Sequence, residues 1–153
     1  MTAKDYALKL LSICDKTQKE VERKLREKSY SEEEIEQTLA FLQEYGYIND
    51  ALYCRRYIAD AKNLRHYGDR RIRADLAKRG AAQEIVDEVL SEYEDDAVDE
   101  IGKQITARFA SVDFSDNKSR QRVFGHFLRK GFGAEEIRRA IARISDGEDM
   151  YFE

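Results

Sequence analysis

The sequence predicts an all-α fold of tandem three-helix repeats. It expects three repeats and nine helices, set in an elongated, curved, solenoid-like array of either hand. Three observations carry this. The 153 residues contain no proline, whereas average usage near 5% would place about seven or eight in such a chain; since proline breaks a helix interior by removing a hydrogen bond and adding a clash, helices joined by short turns follow. Most of the 8 glycines fall where helices should end, so Gly46, Gly68, Gly80, Gly131 and Gly133 read as caps and hinges. A period near 50 residues emerges when the chain is compared with itself.

The repeated segment is KEVERKLREKSYSEEEIEQTL (19–39), RRIRADLAKRGAAQEIVDEVL (70–90) and QRVFGHFLRKGFGAEEIRRAI (121–141). Apolar residues share one set of offsets in the first, at Val21, Leu25, Tyr30, Ile35 and Leu39, and in the third, at Val123, Phe127, Phe132, Ile137 and Ile141. The second has Ile72, Leu76, Ala81, Ile85 and Val89, with one residue fewer in the turn. Such i, i+4 pairs on either side of a short turn predict a hairpin of two amphipathic helices. Thr17 with Glu20, and Ser31 with Glu34, form capping boxes that start its helices.

A further amphipathic stretch precedes each hairpin, with Tyr6, Leu10 and Leu11 in 3–13, Tyr53, Tyr57, Ile58, Ala61 and Leu64 in 50–66, and Ala97, Ile101, Ile105 and Phe109 in 96–110. The repeats then run 1–48, 49–95 and 96–145, followed by an acidic C-terminal tail, 146–153, frayed or packed by Met150, Tyr151 and Phe152 alone. Between the first two repeats, a helix end at Gly46, a cap at Asn49 or Asp50 and a staple from Ile48 to Tyr53 predict a tight junction. The second junction is expected to be looser, because SEYEDD (91–96) has no breaker; 111–118 reads as a polar loop.

Charged residues make up 38% of the chain and apolar residues 42%, too much of the latter for disorder. No apolar run reaches the ~18 residues that would span a bilayer, and neither a membrane helix nor a signal peptide is expected. The net charge of -4 hides a segregation. Residues 55–79 carry nine bases against three acids, and 118–143 carry eight against two, so each block is +6; residues 80–100 hold nine acids and no base. A basic track is the sharper reading of the two positive blocks, and if about six phosphates were neutralised the log-log salt slope would be near -5. Pairing with the adjacent acidic helix is the plainer one.

Within the first block, Arg65, Tyr67, Arg70, Arg71 and Arg73 surround a helix start at Gly68, where backbone N–H groups and guanidinium forks would meet phosphate oxygens. Tyr57 and Tyr67 are placed to stack on a base or a partner residue. Together with Arg55, Arg56, Lys78, Arg79, Arg120, Arg122, Arg129, Lys130, Arg138 and Arg139, the residues Arg65, Tyr67, Arg70, Arg71 and Arg73 form the expected binding set.

Little in the chain suggests a reaction centre. His66 and His126 read as structural histidines, and EDDAVDE (94–100) as a solvated acidic face. Cys14 and Cys54 lack paired spacing and read as buried thiols in a reducing compartment. Hydrolase, nucleotide-binding and zinc signatures are all missing, so no catalytic residue, metal or cofactor is expected.

The junction GYINDALYCRRY (46–57), the block YGDRRIRADLAKRGA (67–81) and LRKGFGAEEIRRAI (128–141) resemble the RecX regulatory proteins, and the match covers about residues 6–143. Members read Gly-Tyr/Phe-Leu/Ile-Asp-Asp followed by an aromatic, matched by Gly46, Tyr47, Ile48, Asn49, Asp50 and Tyr53. They read Gly-x-x-Arg-Ile-x-x-Glu-Leu, matched by Gly68, Arg71, Ile72, Asp75 and Leu76, and Arg-Gly-Phe, here Lys130, Gly131 and Phe132. Where the family often has Arg-x-Arg-Ser, this chain has Cys14, Asp15, Lys16 and Thr17, which keeps the cap and loses the arginines.

The resemblance implies a non-catalytic cytoplasmic regulator, monomeric, that inhibits the RecA recombinase by binding the groove of the RecA–DNA filament. DNA, single- or double-stranded, would be held more weakly by the chain alone. Two alternatives come from the residues themselves. One is a helix-turn-helix DNA-binding protein, weakened because each repeat shows different side chains and no dimerisation helix is evident. The other is a helical interaction scaffold that uses the acidic 84–100 segment.

Overall fold

The computed structural model describes residues 1–145, which leaves the expected acidic tail, 146–153, outside the described residues. Among them are nine α-helices and no strand: α1 (Ala3–Ile13), α2 (Gln18–Glu27), α3 (Glu32–Glu44), α4 (Asp50–Asn63), α5 (Asp69–Lys78), α6 (Gln83–Ser91), α7 (Ala97–Arg108), α8 (Asn117–Lys130) and α9 (Ala134–Ser145). The chain divides into two compact units within α4 and α5. The first holds Met1–Asp60 and Arg73–Glu92, and the second holds Ala61–Ile72 with the chain from Tyr93 on.

In the first unit, capping boxes start α2 and α3, with Thr17 and Ser31 accepting from the amides of Glu20 and Glu34 and those carboxylates accepting in return. These close orphan donors that a helix start otherwise leaves open. Val21 and Leu25 of α2, Ile35 and Leu42 of α3, Ala3 and Ala7 of α1 and Ile48 form one buried cluster, lined by half-buried Tyr30 and Leu39. Thr17 is fully buried, and its hydroxyl also donates to the Arg79 carbonyl, tying the start of α2 to the turn after α5. Asn49 rather than Asp50 caps α4, accepting from the Leu52 amide at 3.1 Å. Asp50 instead accepts from the Gln18 amide at 3.0 Å and so holds α2.

The second unit has its own core, in which Val123 and Phe127 of α8 and Ile137 and Ile141 of α9 close with Phe132 on Val98, Ile101 and Ile105 of α7. Gly131 ends α8 with φ +102, a left-handed cap.

Three expectations need correction. The 91–96 segment does break: α6 stops at Ser91, and the Asp96 carboxylate caps α7 by accepting from the amides of Val98 and Asp99. The last acid of a segment read from the sequence as having no breaker supplies the cap. The loop 111–118 is not wholly polar, because Phe114 turns into the core at 8% exposure. Cys54 is buried as expected, but Cys14 is exposed; it ends α1 beyond the face carrying Ala3 and Ala7.

Candidate nucleic-acid interface

Within the first unit, carboxylates meet most of the expected binding arginines. Arg55 pairs with Glu92 at 2.6 Å and Arg56 with Asp15 at 2.8 Å, and Arg73 pairs with Asp87. Arg79 donates to the Tyr53 hydroxyl at 2.9 Å and lies 4.6 Å over the Tyr57 ring. Burial disfavours its charged form, but the Tyr53 bond together with the nearby Tyr57 and Glu20 outweighs that and the pKa is raised. Lys78 is exposed. The pairings of Arg55 and Arg73 are with the adjacent acidic segment, as in the plainer reading of this block, whereas Asp15 lies outside that segment; each exposed pair contributes little to stability in water.

The second unit brings the two basic blocks together. The loop between α4 and α5 docks by backbone on the turn between α8 and α9: the Gly68 amide donates to the Lys130 carbonyl at 2.8 Å and the Arg70 amide to the Gly131 carbonyl at 3.2 Å. Both glycines are required by the closeness of this approach. A Cβ on Gly68 would lie 2.5 Å from the Gly131 oxygen, and one on Gly131 would lie 2.5 Å from the Arg71 Cβ.

Side chains reinforce the dock. Lys130 donates to the Arg65 carbonyl at 2.9 Å and Arg71 to the Arg129 carbonyl at 3.3 Å. The Arg71 guanidinium sits 4.0 Å from the centre of the Tyr67 ring, with Lys130 also over that ring at 5.3 Å. Arg65, Arg70 and Arg129 are exposed and form no ion pair among the described residues. The result is five cationic side chains, Arg65, Arg70, Arg71, Arg129 and Lys130, gathered on one backbone junction.

Two local expectations change accordingly. The amides of Gly68 and Arg70 at the start of α5 are used by carbonyls of the α8–α9 turn and do not wait for phosphate. Tyr57 and Tyr67 already carry an arginine over the ring, and the Tyr57 hydroxyl donates to Asp75, so base stacking would compete with interactions inside the protein. The remaining predicted residues lie on α8 and α9. Arg122 and Arg139 are exposed, Arg120 donates to the Phe114 carbonyl at 2.7 Å, and Arg138 lies 5.5 Å over Phe124 and 3.8 Å from Glu135.

Lys62 belongs to the first basic block by sequence but not to the cluster. Its side chain is 10% exposed and bridges Asp69 at 3.1 Å and Asp95 at 2.8 Å. Burial disfavours its charge, yet the two carboxylates outweigh this and raise its pKa; by the same pairing Asp95, although partly desolvated, is held below the usual carboxylate range. Asp95 and Asp99, the latter paired with Arg143 at 3.1 Å, also show that 94–100 is only partly a solvated acidic face. His126 sits between the rings of Phe109 and Phe127; burial, then Lys130, Arg108 and Arg129, lower its pKa.

Helical hairpins repeated along the chain, with a cationic junction carried on their turns, define a tandem three-helix repeat protein. The profile for RecX, first three-helix domain, matches residues 3–42, and that for RecX, second three-helix domain, matches residues 49–90. The chain is 31% identical over 143 residues to the regulatory protein RecX of Vibrio vulnificus, covering 93% of this chain and 92% of that one. It is 33% identical over 148 residues to that of Mannheimia succiniciproducens, covering 94% of each. The crystal structure of RecX from Lactobacillus salivarius superposes with a TM-score of 0.75 at 25% identity, over 94% of each chain. The chain belongs to the RecX family of regulatory proteins.

Proposed function

We propose that this protein inhibits a RecA recombinase by binding the RecA–DNA filament, and so regulates DNA repair, homologous recombination and the SOS response. The observation that carries the reading is the docking of the 65–71 loop on the 129–131 turn, which gathers cations from both basic blocks. Exposed guanidiniums fixed to backbone of low freedom suit bidentate contact with phosphate oxygens. A filament supplies both phosphate and protein surface, which agrees with a chain of net charge -4 whose positive charge is local. In this reading the protein works in the cytoplasm as a non-catalytic monomer built of repeats 1–48, 49–95 and 96–145.

The test is a titration of the protein into cognate RecA on single-stranded DNA, following ATP hydrolysis. Inhibition that saturates near stoichiometric occupancy of the filament is expected. A folded protein that leaves hydrolysis unchanged, with no binding to the filament in a pull-down, overturns the proposal.

A further inference from the structure

The first unit carries an exposed apolar patch at the end of α3. The turn there takes Gly46 to φ +75, and the Tyr47 amide donates to the Leu42 carbonyl at 2.8 Å. Ile48 is thereby directed inward, at 5% exposure, while Tyr45, Tyr47 and Leu52 stand outside at 63%, 53% and 41%. Phe41 supports the two tyrosines, with ring centroids 4.9 Å from Tyr45 and 6.1 Å from Tyr47. Beside Tyr47 and Leu52 lies a shallow depression of about 170 Å3.

The charge around this patch selects its partner. Residues 31–50 contain six acids and no base. Glu32 faces Arg26, Glu34 closes the Ser31 capping box and Asp50 receives the Gln18 amide, which leaves Glu33, Glu36 and Glu44 as exposed negative charge on α3. The bases at its border are each held within the unit. Lys4 lies 4.0 Å over the Phe41 ring, Arg56 is paired with Asp15, and Lys16 approaches the Cys14 sulfur at 3.6 Å. Phosphate would be repelled by such a surface, whereas an apolar protein face with a basic rim is complementary to it.

We infer that Tyr45, Tyr47 and Leu52, with the Glu36–Glu44 flank of α3, form the protein-facing surface of this regulator, and that their partner is an apolar, basic-rimmed face of the recombinase. The inference rests on the proposed filament binding and assigns it two separate faces, protein to this patch and phosphate to the Arg65–Lys130 junction.

The experiment measures two affinities for each variant: one for a labelled single-stranded oligonucleotide alone, and one for the RecA–oligonucleotide filament. Tyr47→Ser with Leu52→Ser should lower filament affinity at least about tenfold, as truncating central aromatic side chains of an interface does, while oligonucleotide binding and the helical melting curve stay as in the wild type. Glu36→Lys with Glu44→Lys should weaken filament binding and strengthen oligonucleotide binding. Loss of oligonucleotide binding in the Tyr47/Leu52 variant would overturn the inference by making the patch a base-stacking platform. Unchanged filament binding by that variant, correctly folded, would make the patch a solvated surface and overturn it while leaving the proposed function standing. Wild-type protein that binds the oligonucleotide but not the filament would overturn both.

Discussion

Two sets of arginines that look alike in sequence meet different fates. In the first unit Arg55, Arg56 and Arg73 each face a carboxylate. In the second, Arg65, Arg70 and Arg129 stand on a backbone-to-backbone junction and form no ion pair among the described residues. A count of charge along the chain gives each basic block +6, but the acid that neutralises a base is chosen by the fold; Arg56 and its partner Asp15 are 41 residues apart. Potential binding charge therefore concentrates where turns dock, and the following changes test that contrast.

The largest effect should come from Gly68→Val. A Cβ there would lie 2.5 Å from the Gly131 carbonyl oxygen and 2.8 Å from the Phe132 nitrogen, which is backbone that cannot rotate away. The loop must undock or the turn must shift. A loss of about 4 kcal/mol is expected, at the upper end for single substitutions, read as an early thermal transition by circular dichroism. Gly131→Val should behave similarly, since it adds a side chain at φ +102 as well as the clash with Arg71, and a β-carbon is disfavoured in that left-handed region. A wild-type melting curve for either would break the junction on which the comparison stands.

Next in size is charge reversal of the unneutralised set. Arg65→Glu, Arg70→Glu and Arg129→Glu together should reduce oligonucleotide affinity by about 2–3 kcal/mol and lower the salt slope by about three, roughly one for each phosphate no longer neutralised. The same reversal at Arg55, Arg56 and Arg73 should change both far less, because those charges are already balanced. Arg71 is left out because its guanidinium packs on Tyr67 and its reversal would disturb the fold. Equal losses from the two triple variants would erase the distinction between the units.

What the sequence made legible was local. Pairs such as Val21 and Leu25, or Val123 and Phe127, lie on one helical face because of their spacing, and all four are buried. The Thr17–Glu20 and Ser31–Glu34 boxes are three residues wide, and the Gly131 cap needs only its neighbours. What remained hidden depends on the meeting of distant residues. Gly68 looked like a hinge, yet its φ is not left-handed; it is needed because Gly131, 63 residues later by sequence number, passes within van der Waals distance. Phe114 in a polar loop, and Asp15 as the acid that pairs Arg56, were invisible for the same reason. The flanking bases of YGDRRI and RKGF were the one signal that these two glycine turns belong together.

Lys62 offers a smaller test inside the second unit, because it is a base of the first block that is neutralised there. Lys62→Met should cost about 1 kcal/mol, a modest figure because Asp69 and Asp95 remain solvent-facing and screened. Its pH dependence is diagnostic. Asp95 has a lowered pKa, so its contribution is present above the ordinary carboxylate range and is lost as pH falls through its folded value. Lys62 has a raised pKa, so its contribution is present below the ordinary lysine value and is lost as pH rises through its folded value. The stability difference between wild type and variant should therefore be widest near neutrality and shrink at both extremes. A difference that does not vary with pH would mean that packing of the Lys62 stem, and not its charge, holds the 92–96 segment.

The smallest expected effect is the sharpest on the comparison. Arg56 and Asp15 are 62% and 63% exposed, so Arg56→Ala should change stability by no more than about 0.5 kcal/mol. Removing a cation would ordinarily weaken DNA binding, but here the cation is already balanced by Asp15. If the first unit faces protein, the oligonucleotide salt slope should stay as it is. A slope lowered by about one would instead place Arg56 on phosphate, and the neutralising carboxylate would then have to yield its partner on binding.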